Sequence, residues 1–280
     1  MKYFKKIKGV IVDSAQGYIA DESMRLGASL AYYSVFSLAP LLVIAVGVAS
    51  IIFGTTNAEQ RILQEASVLF GRDSTEMLQG ILQSSDSIQA GGVASLIGFA
   101  LLLFGAGSVF KELQDSLNHI FSVKEKRSGL LVFIMKNVLS FGMVLATGFL
   151  LLISLVLSVA VSVLSEFFSA GTYATSFFWE TINITLSFLV TGCLFALIFR
   201  FVPACRLPWR AILPSALVTA SLFTLGKTLL AWYLSYAGVA TSYGASGSLV
   251  LILLWVYYSA QILFFGAELV ATLARTRKKS

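Results

Sequence analysis

The amino-acid sequence predicts an all-α integral membrane protein: six transmembrane helices, N- and C-termini cytoplasmic, with interfacial amphipathic helices. Three observations carry this. Charged residues make up 12% of the 280-residue chain and hydrophobic ones 57%, with mean hydropathy +0.85; an ordinary soluble domain carries about 25% charge. Apolar runs long enough to cross a bilayer recur along the chain. Lysine and arginine are segregated between alternate connections. Seventeen of the 20 fall on the side that also holds both termini, and only Arg61 and Arg72 lie in the other connections. That asymmetry follows the positive-inside rule and sets the expected orientation. It also accounts for the formal net charge of +6 through topology and anionic headgroups, so no nucleic-acid partner is implied.

The whole chain, 1–280, reads as one membrane domain. Residues 1–25 carry Lys2, Lys5, Lys6 and Lys8, with apolar Val10, Ile11, Tyr18 and Ile19 among polar positions. This predicts an amphipathic cytoplasmic helix at the membrane surface, with the chain turning inward at Arg25. The first span, 26–54, has no ionisable side chain between Leu26 and Phe53 except the phenols of Tyr32 and Tyr33. As a helix it would extend roughly 40 Å, beyond the ~30 Å hydrocarbon core. Its Tyr32, Tyr33, Ser37 and Pro40 stand where plain Leu and Ile would suffice, which suggests contacts more specific than lipid. Pro40 lacks an N–H, so a kink is expected, with Ser37 covering part of the freed backbone.

Residues 55–90 form an outer segment of two short amphipathic helices separated by Gly71 to Ser74. The second span, 91–110, carries Ala94, Gly98, Gly105 and Gly107, small residues that admit a neighbouring backbone. After it, Phe110, Leu113, Leu117, Ile120 and Phe121 share a face, while Lys111, Glu112, Asp115 and Asn118 point elsewhere. This reads as a separate interfacial elbow helix, followed by a basic turn. The third span lies within 130–164, where Ser154, Ser158 and Ser162 make a packing stripe. The fourth, 177–201, ends at a basic turn in which Pro203 and Pro208 forbid a continuous helix. The fifth is 211–236, with Pro214 in its first turns. A small-residue linker leads to the sixth, 248–273, and a basic tail.

Ionisable side chains inside a span each need an account, because a charge near the bilayer centre costs at least ~2.5 kcal/mol. Lys227 falls in the outer half of the fifth span, at the depth of Glu180 and Asn183 in the fourth. Lys227 with Glu180 is one candidate ion pair; the alternative is that Lys227 snorkels to the outer interface. Glu268 falls near the cytoplasmic edge of the sixth span, where Arg25 is its candidate partner; the plainer reading is an interhelical contact. Tyr257 and Tyr258 lie too deep for an interfacial belt and are expected to face the bundle.

Enzyme chemistry is not indicated. His119 is the only histidine, and a metal-dependent hydrolase draws on several convergent His, Asp or Glu ligands. Asp115 and His119 share one helix face, which reads as a solvated face. The sequence has neither a Gly-x-Ser-x-Gly elbow nor a P-loop. No cofactor is implied. Cys193 and Cys205 form no disulfide framework, and the N-terminus does not have the pattern of a cleavable signal.

Several strings resemble the YihY/BrkB family of bacterial membrane proteins. Gly27 to Leu42 (GASLAYYSVFSLAPLL) is similar to the family's first-span signature, and Phe110 to Asn118 (FKELQDSLN) to its motif after span two. Arg200-Phe201-Val202-Pro203 with Pro208-Trp209-Arg210 resembles its turn before span five. Tyr243-Gly244, Trp255-Val256-Tyr257 and Gly266-Ala267-Glu268-Leu269 resemble its C-terminal third. The chain departs at Ser215, where the family usually has glycine, and at Val270, where a polar residue is common. The resemblance implies a multi-pass protein of the bacterial inner membrane. The family was formerly mislabelled ribonuclease BN, and members have been linked with serum resistance and with lipopolysaccharide-precursor transport. Two functions are therefore expected candidates: a transporter or flippase of a lipid or amphipathic envelope precursor, or a non-transporting scaffold for envelope assembly. Membrane lipids are the expected partners, and the oligomeric state is not legible.

Overall fold

The computed structural model describes residues 2–37, 59–60, 62–64, 78–80, 93–123, 173–237 and 247–278. Among these residues all regular secondary structure is helical, without strands. The main elements are α1 (Lys2–Ala20), α2 (23–37), α3 (Val93–Ile120), α4 (Tyr173–Phe201), α5 (Trp209–Ala237) and α6 (Gly247–Lys278). Among the described residues three stretches are long and apolar enough to cross a membrane: Ile184–Phe201, Trp209–Leu230 and Leu249–Thr276. The expected third span, most of the 55–90 segment and Pro40 lie outside the described residues.

The centre of the described structure is α6 packed on α5, which packs on α4. Lipid offers no hydrophobic drive for helices to associate, so close packing must hold them together. Here small residues bring backbones together. A Cβ at Gly266 of α6 would collide with Thr219 Oγ1 of α5 and lie 2.9 Å from Phe199 Cζ of α4. Phe199, Phe264, Ile212, Ala220 and Ala267 are fully buried around this junction. Phe195, Phe223 and Trp255 extend it edge-on, with ring centroids 5.7 and 5.8 Å apart.

Two turns differ from expectation. The chain turns at Asp21–Glu22, not at Arg25: α1 ends at Ala20, and Glu22 adopts a left-handed φ of 49°. Helix α2 then starts with Arg25 N and Leu26 N donating to Glu22 O. At the second site no separate elbow exists. Helix α3 runs unbroken from Val93 to Ile120, because nothing between Ser108 and Ile120 breaks a helix. It closes with a left-handed Ser122 (φ 52°). Ser122 N donates to His119 O and Val123 N to Asn118 O, the bond pair of a Schellman cap.

The end of α3 also corrects the expected face of Asn118. This residue is buried, and its Oδ1 accepts from Ala204 N at 2.8 Å. Gln114 Nε2 donates to Val202 O at 2.8 Å. Both hold the proline-bearing turn between α4 and α5, whose backbone Pro203 and Pro208 keep out of helix. Arg200 closes that turn by donating to Leu207 O at 2.5 Å and lying 5.7 Å from the Trp209 ring centroid. Gln114→Ala strips the carbonyl of the buried turn residue Val202 of its partner and is expected to cost about 1–3 kcal/mol. A lower melting temperature in detergent would register this; an unchanged one would show that the lock contributes nothing.

Candidate functional site

A polar seam runs along one face of α6, where an apolar helix would have been the simplest membrane solution. Gln261 and Glu268 lie seven residues apart on that face, with Thr272 one turn beyond Glu268. The terminal half of α1 and the start of α2 close over them. Helix α1 reaches this position because its residues Ser14, Gly17 and Tyr18 share the face turned to α6. Ser14 Oγ donates to Thr272 Oγ1 at 3.1 Å and lies 3.5 Å from Glu268 O. The Tyr18 hydroxyl donates to Gln261 Oε1, and its ring meets Phe265 edge-on at 6.2 Å. Burial, and secondarily the facing Tyr257 phenol, push the Tyr18 hydroxyl above the ordinary phenol range. It therefore remains a donor at physiological pH.

Two glycines let the carboxyl and the amide fit. A Cβ on Gly17 would lie 2.5 Å from Glu268 Oε2, and one on Gly27 would collide with Gln261 Nε2. Glu268 is 1% exposed. Among the described residues, the charged groups whose fields reach it are those of Asp21, from the α1–α2 turn, and Arg275, two turns along α6. Arg275 is itself 3.4 Å from Ser122 Oγ at the end of α3. Three buried polar atoms of this region have no hydrogen-bond partner among the described residues: Glu268 Oε1, Gln261 Nε2 and Ser23 Oγ. Buried polar atoms are nearly always paired, so these three atoms are the part of the seam that its own described side chains leave open.

The structure does not bring Arg25 to Glu268. Arg25 Nε pairs with Glu22 Oε2 at 2.5 Å on an exposed surface. Matching depth in the membrane says nothing about direction around the helix, and after the early turn at Asp21–Glu22 the Arg25 side chain folds back onto Glu22. Ser37 is buried, but its Oγ donates to Ser34 O at 2.9 Å, not to the Phe36 carbonyl. Tyr32 (60% exposed) and Tyr33 point away from the described bundle, and Tyr32 stacks edge-on against Phe36. Tyr257 is half-buried beside the seam, while the Tyr258 hydroxyl packs where a Cβ of Gly226 would sit. Lys227 is exposed, with no ion pair among the described residues. Glu180 and Asn183 lie on α4, but their side chains fall outside the described part of the structure, as does Pro40. Among the described residues no group of three His, Cys, Asp or Glu side chains could hold a metal ion.

Sequence reasoning missed Ser14, Gly17, Asp21, Ser23, Gly27 and Gln261. The available signal was Tyr257, Gln261 and Glu268 at helical spacing on one apolar span. Tyr18 was assigned to the membrane-facing stripe of α1, whereas the exposed apolar residues there are Ile11, Val12 and Ile19.

Similarity to known proteins covers almost the whole chain. A ribonuclease-like protein, YfkH, of Bacillus subtilis is 24% identical over 265 residues, spanning 93% of this chain and 94% of that protein. A UPF0761 membrane protein of Pseudoalteromonas translucida is 26% identical over 288 residues, covering 98% and 91% of the two chains. A UPF0761 membrane protein of Pseudomonas paraeruginosa is 26% identical over 274 residues; the match takes in 94% of this chain but only 62% of that longer relative. No solved structure matches significantly. The profile of the virulence factor BrkB family matches residues 14–280, and the chain is thus a membrane protein belonging to that family.

Proposed function

We propose that this protein moves a lipid or an amphipathic envelope precursor between the leaflets of the bacterial inner membrane. In this reading it is a multi-pass, six-span protein with both termini cytoplasmic. The observation that carries the reading is the Glu268 seam: a carboxyl, an amide and hydroxyls buried in an otherwise apolar helix, with polar atoms left over. A membrane bundle has no packing need for such a seam, and intramembrane ionisable groups mark substrate or ion pathways. Lys227 with Glu180 and Asn183, together with the Pro40 region of the first span, would extend the path outward. No enzymatic step is assigned.

Purified protein reconstituted alone into vesicles tests the reading against a scaffold. Movement of a fluorescent phospholipid analogue between leaflets, above that of protein-free vesicles, supports transport. The scaffold reading draws on the exposed side of α3, with Lys111, Asp115 and His119. Stable protein partners cross-linked there in cells, with no lipid movement by purified protein, would favour it.

Orientation is tested at Cys205, a half-buried free thiol in the α4–α5 turn. With Cys193 changed to alanine, a membrane-impermeant maleimide is expected to label Cys205 only after cells are opened. Labelling of intact cells would refute the orientation. Burial pushes the Cys205 thiol up, so less thiolate is present at a given pH. Labelling at neutral pH is therefore expected to be slower than for an unfolded-chain cysteine. It should accelerate as pH rises through and beyond the ordinary thiol range.

A further inference from the structure

The turn that joins α4 to α5 is held at a membrane surface by its neighbours. The stretches on either side of it, Ile184–Phe201 and Trp209–Leu230, are each long and apolar enough to cross a bilayer. A short turn between two such helices emerges at headgroup level, whichever way the chain is oriented. The segment 200–210 carries Arg200, Arg206 and Arg210 and no Asp or Glu. The three arginines are not equivalent. Arg200 is turned inward: its Nη1 donates to Leu207 O, and its guanidinium lies over the Trp209 ring. Arg206 and Arg210 are exposed and make no ion pair among the described residues. The side chains of α3 that bond to the turn, Gln114 and Asn118, are uncharged amides. Apolar side chains continue from the two free arginines along the outside of the bundle. Trp209 is 44% exposed although Arg200 covers one side of it, and Phe201 across the turn is exposed as well. Leu213 and Leu217 follow Trp209 at intervals of four on α5 and are also exposed. That spacing puts the indole and both leucines on one helix face. A cationic end above an apolar stripe has the outline of one phospholipid molecule.

We propose that the α4–α5 turn binds an anionic phospholipid, its phosphate held by Arg206 and Arg210 and an acyl chain laid along Trp209, Leu213 and Leu217. A guanidinium suits phosphate because it presents several donors in one plane and is only weakly hydrated. Trp209 stands where tryptophan is favoured in membrane proteins, with its apolar body toward the chains and its N–H toward the headgroups. The arginines also set the preference between headgroups. A choline headgroup brings an ammonium beside its phosphate, which cancels the lipid's net charge and faces two guanidiniums of the same sign. A glycerol headgroup leaves the phosphate charge uncancelled, so phosphatidylglycerol is the better fit. The inference does not rest on the transport reading. The Glu268 seam is built from other helices, α1, α2 and α6, and a lipid held at this turn is compatible with a transporter or a scaffold.

Native mass spectrometry of the full chain tests the site. The protein in mild detergent is supplied with equal amounts of dioleoyl phosphatidylglycerol and dioleoyl phosphatidylcholine, and the lipid it retains is counted. A basic side chain at a membrane surface favours anionic lipid by about fivefold, so the wild type is expected to prefer phosphatidylglycerol by at least that factor. Arg206→Gln combined with Arg210→Gln should abolish the preference and leave the melting temperature unchanged, since neither side chain has a described partner to lose. If the double variant does not fold, the two single variants make the assignment, each lowering the preference by about that one factor. Arg206→Lys combined with Arg210→Lys keeps both charges and should keep most of the preference. Lys278→Gln combined with Lys279→Gln, in the C-terminal tail, should retain it. Equal retention of the two lipids by the wild type overturns the proposal. So does a preference that survives the loss of both arginines, which would put the anionic lipid on other basic residues. Inorganic phosphate that displaces the lipid at equal concentration would show a bare anion site in place of a lipid site, and overturns it as well.

Discussion

Gly266→Leu is expected to destabilise the bundle by about 1–3 kcal/mol or more, the range for forcing extra carbons into a packed interior. The reason is the rigidity of what surrounds this glycine. Thr219 is fully buried, β-branched and bonded through Oγ1 to Ser215 O at 2.7 Å, so its side chain has few other rotamers to adopt. Phe199, on α4, is fully buried as well. Neither neighbour can withdraw without moving a backbone. Other glycines on these helices should behave differently. A Cβ at Gly192 would meet Leu217 and Ala220 at ordinary distances of 3.7 and 3.8 Å. At Gly226 the obstacle is the hydroxyl end of a long, half-buried Tyr258 side chain, which can swing. Melting temperatures in detergent should therefore rank Gly266→Leu far below Gly192→Ala, with Gly226→Ala between them. Equal melting of the first two would mean that the three-helix junction is not where this bundle is held.

Glu268→Gln is expected to leave stability nearly unchanged and to reduce lipid movement to that of protein-free vesicles. Glutamine keeps the length and shape that fit against Gly17. The substitution opens no cavity, so the change in stability is expected to stay within about 1 kcal/mol. What it cannot do is change charge. Glu268→Ala is the less informative variant, because it also opens a cavity. A folded Glu268→Gln protein that moves lipid at the wild-type rate would remove this carboxyl from the function.

The helices of the C-terminal half were legible in the sequence because their boundaries are chemical. Pro203 and Pro208 stop one helix and start the next, and Arg200 stands in the last turn of α4. The expected 177–201, 211–236 and 248–273 match Tyr173–Phe201, Trp209–Ala237 and Gly247–Lys278 within a few residues. Family membership was legible from motifs for the same reason, since strings such as GAEL and RFVP sit at helix contacts and turns. The turn at Asp21–Glu22 was not, because a glutamate in the left-handed region carries no glycine-like mark. The partner of Glu268 was not either: counting residues gives depth, but only the packed structure tells which way a side chain points. Helix α1 misled through its polar residues. Ser14 and Tyr18 belong to its contact face because the surface they meet on α6 is itself polar. A pattern that equates apolar with buried cannot find such a face. Asn118 and Gln114 share this property, since their partners lie more than 80 residues away in a turn.

The account stands most directly on whether the purified protein moves lipid, and whether Glu268 is needed for it. Vesicles carrying a fluorescent phospholipid analogue in both leaflets, treated outside with a membrane-impermeant quencher, report this in one experiment. Wild-type vesicles are predicted to lose fluorescence from the inner leaflet as well as the outer, and Glu268→Gln vesicles from the outer leaflet alone. Wild-type vesicles that retain their inner-leaflet fluorescence, like protein-free ones, would contradict it.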